Sequence, residues 1–300
     1  MNSRRDRETR LRKGSRPVVT ENQFINMLMD DVAKNRLEFP TLPEVALRVR
    51  KLVEDPKSNT DQIAKVLSTD ATLSSNILKI ANSAVFTGLQ ATDNVKSAVN
   101  RLGLSIIRNM VTCVVMKALY QPKLSPVIKT YMADQWRHST KVAAYSHAFS
   151  KRFPHLRSDQ AMLAGLIHDI GALPIITRAA KYPDIIEDPI KLRYVIEKLH
   201  GELGHLILEA WNFPQELVAV AAAHEETQRL ASDRIEYVDI VMVANLHSYL
   251  GTDHPLTRLE WSELPIFKKL GLTPTESIQA LKDGQVEITA IYQLLGVSVT

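Results

Sequence analysis

The sequence predicts an all-α fold. Apolar residues recur at steps of three and four along most of the chain, and few stretches alternate with the period of two that a half-buried strand requires. Prolines and short polar capping residues punctuate the apolar runs, as expected for helix packed on helix.

The elements follow in order. A helix begins near Glu21, with Phe24, Met27 and Leu28 on one face. Residues 37–43 form a loop, because Pro40 and Pro43 each restrain themselves and the residue before them. Pro43 fits the first turn of a helix carrying Val45, Val49, Leu52 and Val53. Ser58 and Asp61 have capping-box spacing and open a helix bearing Ile63, Val66 and Leu67. Thr69 or Asp70 caps the next, where Leu73, Ile77 and Ile80 recur. Helices are then expected over residues 97–102, before Gly103, and over 105–119. Pro122 and Pro126 break the pattern. Helices resume over 128–153, 158–168, 192–200, 202–211, 214–224 and 239–249, with weaker ones near 261–270 and 275–295. The resulting organisation is a disordered basic arm at 1–20, an N-terminal helical part at 21–125, a helical bundle at 126–252 and a C-terminal helical extension at 253–300.

Charge is concentrated in the arm. Residues 1–16 hold seven Lys or Arg against two acids, a balance of +5, so with a total of +4 the other 284 residues sum to −1. Such an arm reads as a solubilising tail, with nucleic-acid or membrane contact as the lesser alternative. A near-neutral body argues against a nucleic-acid partner, which needs several phosphate-neutralising side chains. The single cysteine, Cys113, excludes a disulfide framework and a thiolate zinc cluster. It lies in an apolar run and reads as core, and the cysteine usage fits a cytoplasmic protein. No segment has the ~18 uninterrupted apolar residues of a membrane helix, and the charged N-terminus does not read as a signal peptide.

The candidate chemistry lies in the histidines. His138 shares a helical face with Val142 and Tyr145 and points inward. His168 ends a helix whose small residues Ala161, Ala164 and Gly165 invite a close neighbour, Asp169 follows at once, and Gly171 lets the chain turn away. His200 sits at an expected helix junction, and His224 shares a face with Leu217, Val220 and Ala221. Taken singly, each inward histidine is a hydrogen-bonded core residue. Together, imidazoles from separate helices with one adjacent carboxylate suit a divalent metal (Fe, Mn, Zn or Ni) able to acidify water and bind phosphoryl oxygens. His147, His155, His205, His247 and His254 read as surface or structural, His205 least securely because it lies near His200.

Several motifs resemble a known family. Residues 165–171, Gly-Leu-Ile-His-Asp-Ile-Gly, resemble the core motif of the HD superfamily of metal-dependent phosphohydrolases, and residues 135–139, Gln-Trp-Arg-His-Ser, resemble the segment supplying its first histidine. Residues 39–46, 68–73, 80–84, 98–103, 200–204, 211–214 and 224–225 narrow the match to the HDOD family, the HD-related output domains of bacterial signalling proteins, over about residues 22–250. This resemblance implies an N-terminal helical layer packed on an HD-like helical bundle. It places His138, His168 and Asp169 on metal-ligand positions, and His200 and His224 where the related HD-GYP phosphodiesterases carry additional histidine ligands.

The chain also departs from the active pattern. Ala172 stands where active members carry a phosphate-reaching lysine, and Asn245 stands where the superfamily's closing aspartate is expected. Asp239 cannot replace it, since six helical residues rotate it onto another face. Glu225 replaces the second histidine of the HD-GYP pair, and no Gly-Tyr-Pro follows. The implied function is a non-catalytic regulatory protein working through a signalling protein partner or a ligand held at a degenerate site. The alternative is a metal-dependent phosphohydrolase acting on a nucleotide or cyclic dinucleotide.

Overall fold

The computed structural model describes residues 18–86, 91–121, 125–229 and 232–298, without the side chain of Ala84. Among the described residues there is no β-strand, and one continuous apolar core runs through all parts of the fold. Residues 1–17 of the expected arm lie outside the described residues. Residues 18–20, placed in that arm from sequence, belong to the fold. The Val19 amide donates to Asp184 at 3.2 Å, and Thr20 caps the first helix in a capping box with Gln23.

The N-terminal layer comprises α1 (Glu21–Ala33), α2 (Glu44–Glu54), α3 (Thr60–Leu67), α4 (Ala71–Ala81), α5 (Val95–Leu102) and α6 (Leu104–Met116). The capping box of α3 is one residue later than the sequence suggested: Asn59, not Ser58, pairs with Gln62. Asp70, rather than Thr69, caps α4. A turn of 3-10 helix, Lys117–Tyr120, finishes α6, where the periodicity predicts α-helix as far as 119. Cys113 is fully buried on α6, and burial pushes its thiol up.

The bundle comprises α7 (Pro126–Ser150), α8 (Ser158–Ile167), α9 (Ala172–Ala179), α10 (Pro183–Ile186), α11 (Pro189–Ala210), α12 (Gln215–Ala223) and α13 (Tyr237–Ser248). Helices α9 and α10 were not anticipated. Pro174 sits in the first turn of α9 and Pro183 opens α10, positions where the missing N–H has no helical partner to lose. Helix α11 is a single element where two were expected, and Gly201 and Gly204 lie inside it. A Cβ at Gly204 would stand 3.0 Å from that of Ala221, so close packing on α12 offsets the roughly 1 kcal/mol each glycine costs a helix.

The layers are joined by α6, which packs on α2 on one side and on α8 on the other, while α1 crosses α11. The extension folds back as α14 (Pro265–Leu270), α15 (Pro274–Asp283) and α16 (Gln285–Leu295), with α15 and α16 against α7 and α14 against α13. The stretch Ser158–Ala179 has the length and hydropathy of a membrane-crossing segment, but 94% of its apolar window is buried inside the fold, as in a core helix.

Candidate metal centre

Four elements bring the sequence-predicted residues together. His138 comes from the middle of α7, His168 and Asp169 from the turn after α8, His200 from the interior of α11, and His224 from the end of α12. His200 is therefore held by a continuous helix and not by the junction read from sequence. Gly171 also differs from expectation. Its φ is an ordinary −66°, so no unusual turn is needed. Its role is close approach: a Cβ there would collide with the His200 carbonyl oxygen and the Gly204 nitrogen, forcing α11 away from the His168-Asp169 turn.

The donor atoms form two triplets that share Asp169. In one, the Nε2 atoms of His138 and His168 are 3.1 Å apart and lie 3.5 and 3.4 Å from Asp169 Oδ2. In the other, the Nε2 atoms of His200 and His224 are 3.3 Å apart and lie 3.5 and 3.2 Å from Asp169 Oδ1. Each carboxylate oxygen thus serves one pair of imidazoles.

Tautomers follow from the backbone. His168 Nδ1 lies 2.7 Å from the Gly165 carbonyl, His200 Nδ1 2.7 Å from that of Ile196, and His224 Nδ1 3.0 Å from that of Val220. A carbonyl only accepts, so each Nδ1 carries a hydrogen, and each ring, when neutral, aims an Nε2 lone pair at Asp169. This is the orientation that metal-ligating histidines take from their surroundings. Lone pairs converging within 3.3 Å of one another repel unless positive charge lies among them. The residues therefore fit a divalent cation.

The ionisation pattern shows how strongly these groups are coupled through Asp169. Burial would raise the Asp169 carboxyl, but His168, His224 and His200 outweigh it and hold the group well below the usual carboxylate range. Burial drives His168 well below the ordinary histidine value and lowers His138, with Asp169 opposing both. His224 is raised: burial acts downward, and its contact with Asp169 overcomes it.

Sequence reasoning missed several participants. Gln135, one turn before His138, donates its Nε2 to Asp169 Oδ2 at 2.7 Å. Its position three residues ahead of an inward histidine was the available signal. The Tyr249 hydroxyl lies 3.4 Å from His138 Nε2, and its ring stacks between His138 and His254, 3.6 Å from the latter. His254, read as surface or structural, therefore lines the approach to the cluster. A cleft of about 350 Å³ leads from solvent to Asp169, His138 and His200, with Arg193 the only Lys or Arg among the described residues on its wall and Glu225 placing an oxygen 3.7 Å from His200 Nε2.

The degenerate positions are both buried. Ala172 offers no side chain to the cleft, and Asn245 on α13 lies near the His138 side of the centre, its Oδ1 3.5 Å from the Ser248 hydroxyl, which is 3.4 Å from His138 Nδ1. Asp239 on α13 is engaged by Lys269 at 2.6 Å, in keeping with the rotation that removes it from the site. His147 and His247 are buried and bonded to backbone carbonyls, while His205 pairs with Glu209 on the surface.

The family model of the HDOD domain matches residues 39–227, which span this centre. The chain belongs to the HDOD family. A Shewanella amazonensis SB2B protein of known structure, provisionally named a metal-dependent phosphohydrolase, is 32% identical, with 91% of this chain and 99% of that one aligned and a TM-score of 0.79. An HDOD domain protein of unknown function from Geobacter sulfurreducens shares the fold at 19% identity and a TM-score of 0.64, over 90% of this chain and 97% of that one. An uncharacterised Treponema pallidum (strain Nichols) protein is 23% identical over 279 residues, 85% of this chain, which spans 52% of that relative's length.

Proposed function

We propose that this HDOD protein is a regulatory module that binds divalent metal between α7, α8, α11 and α12 and acts through a protein partner or a ligand held there, without turnover. The sharing of Asp169 by two histidine pairs whose Nδ1 atoms are anchored on backbone carbonyls carries this reading. His138, His168, Asp169, His200 and His224 would hold the metal, which would supply Lewis-acid chemistry to an oxygen ligand in the cleft. Gln135 orients Asp169, and Tyr249 closes the cleft against His138. Ala172 and Asn245 argue against hydrolysis, since each removes a charged contact with a phosphoryl group or metal. The test is metal content of the purified protein together with assays of phosphodiester substrates in added Mn. Bound metal without turnover supports the proposal, and a metal-free, stably folded protein overturns it.

A second reading, a metal-dependent phosphohydrolase, is favoured by the open cleft with Arg193 on its wall. The 32% identical Shewanella protein's provisional name points the same way. Turnover that vanishes in His168→Ala and Asp169→Ala, with the fold retained, would establish it in place of the first.

A further inference from the structure

A second cavity, of about 670 Å³, lies between α7, the 3-10 turn Lys117–Tyr120 and the chain after α16. Its size is within the range of small-molecule sites. Tyr120 and Trp136 form an apolar wall, their ring centroids 5.1 Å apart, and Val297 lines it as well. Three basic residues, Lys117, Lys129 and Arg137, converge on it, and no acidic residue is among the described residues that line it. Lys129 has no ion pair among the described residues, and Lys117 reaches only the Gly296 carbonyl, at 3.4 Å. Arg137 is held by Asp134, but both side chains are more than half exposed, and such a solvent-screened pair contributes little. An incoming anion can therefore take Arg137 at little cost.

The cavity is separate from the metal centre. At 100° per residue, Lys129, Ala133, Trp136 and Arg137 fall on one face of α7, and Tyr131, Gln135 and His138 fall on the opposite one. An occupant of this cavity is thus no substrate of the Asp169 cluster.

We propose that this cavity is a second ligand site, specific for an organic anion with an apolar body and a terminal anionic group. The apolar body would lie against Tyr120, Trp136 and Val297, and the anionic group would meet Lys129, Arg137 and Lys117. The charge of Lys117, Lys129 and Arg137, with no carboxylate among the described residues that line the cavity, selects the sign, and the aromatic wall favours an apolar body over a bare inorganic ion.

The test titrates the full chain with 1-naphthalenesulfonate and with decanoate, following tryptophan fluorescence and calorimetry, with inorganic phosphate as control. One-to-one saturable binding of either organic anion is expected, with phosphate inert. Preference for the sulfonate assigns a ring body and preference for decanoate a chain, each in support. The charge-reversed double variant Lys129→Glu/Arg137→Glu, both positions exposed, is expected to weaken binding at least tenfold with an unchanged melting temperature, while Asp169→Asn leaves it as in the parent. No saturable binding by either anion overturns the proposal, as does binding that survives the charge reversal or that phosphate reproduces.

Discussion

The Gln135 side-chain amide donates to the same Asp169 oxygen that faces His138 and His168, at 2.7 Å. One oxygen of Asp169 is thus fixed by a neutral donor from α7, while the other faces His200 and His224. Groups that orient a ligating carboxylate typically govern metal affinity by 10–100-fold. Gln135→Leu, of similar size and without the donor, is expected to weaken metal binding about tenfold or more without unfolding the protein. Metal titration beside circular dichroism checks this. Unchanged affinity would show that Asp169 is positioned by its own turn.

Because Asp169 is common to both triplets, substitutions should separate the two halves. His138→Ala removes a donor from one set and His224→Ala from the other, whereas Asp169→Asn weakens both. The expected outcome is loss of half the bound metal in each histidine variant and of nearly all in Asp169→Asn. Elemental analysis of purified protein measures it. Equal, complete loss in all three would mean a single ion bridges both pairs.

The fold class was legible because it rests on local periodicity, and the grouping of His138, His168, Asp169 and His224 was suggested by the same kind of signal, whereas His200 was placed at a helix junction that the structure replaces with continuous helix. His168-Asp169 with its neighbouring small residues is a local signal, and so are the inward faces holding His138 and His224. What was missed depends on tertiary contact. Gly201 and Gly204 look like a helix break until α12 and the Gly171 turn press against them. His254 looks like a surface residue until the fold lays it on Tyr249. Gln135 carries no chemistry of its own and gains a role only beside Asp169.

His247 gives the fold a defined acid sensitivity. It is buried between Phe149 and Trp261, with Nδ1 2.8 Å from the Val243 carbonyl and Nε2 2.8 Å from the Ser277 hydroxyl, and burial lowers it from 6.5 to about 4. Between those values the unfolded chain binds a proton that the folded chain does not. Stability is therefore full above pH 6.5 and falls as pH drops toward 4, by roughly 1.4 kcal/mol per pH unit from this residue. His138, His147 and His168 are lowered too and steepen the same trend. Chemical denaturation of the parent and of His247→Phe at pH 7 and pH 5 isolates the contribution. The variant is expected to lose less stability over that interval, and identical losses would refute it.

The C-terminal extension is tied to the bundle by a buried ion pair. Lys269 on α14 lies 2.6 Å from Asp239 on α13, both side chains nearly inaccessible, and Arg229 approaches the same carboxylate at 3.6 Å. Removing one partner of such a pair strands the other charge and typically costs 3–5 kcal/mol, whereas removing both costs much less. Arg229 softens the first penalty, so Lys269→Met is expected to destabilise by about 3 kcal/mol. Asp239 also accepts from the Glu236 amide at the start of α13, so Asn at that position keeps an acceptor there while relieving the stranded charge. Lys269→Met/Asp239→Asn should therefore be more stable than Lys269→Met alone. Urea denaturation of the parent and the two variants decides it. A double variant no more stable than the single one would show that Lys269 contributes through its packing and not its charge, and would remove the ion pair as the bond between extension and bundle.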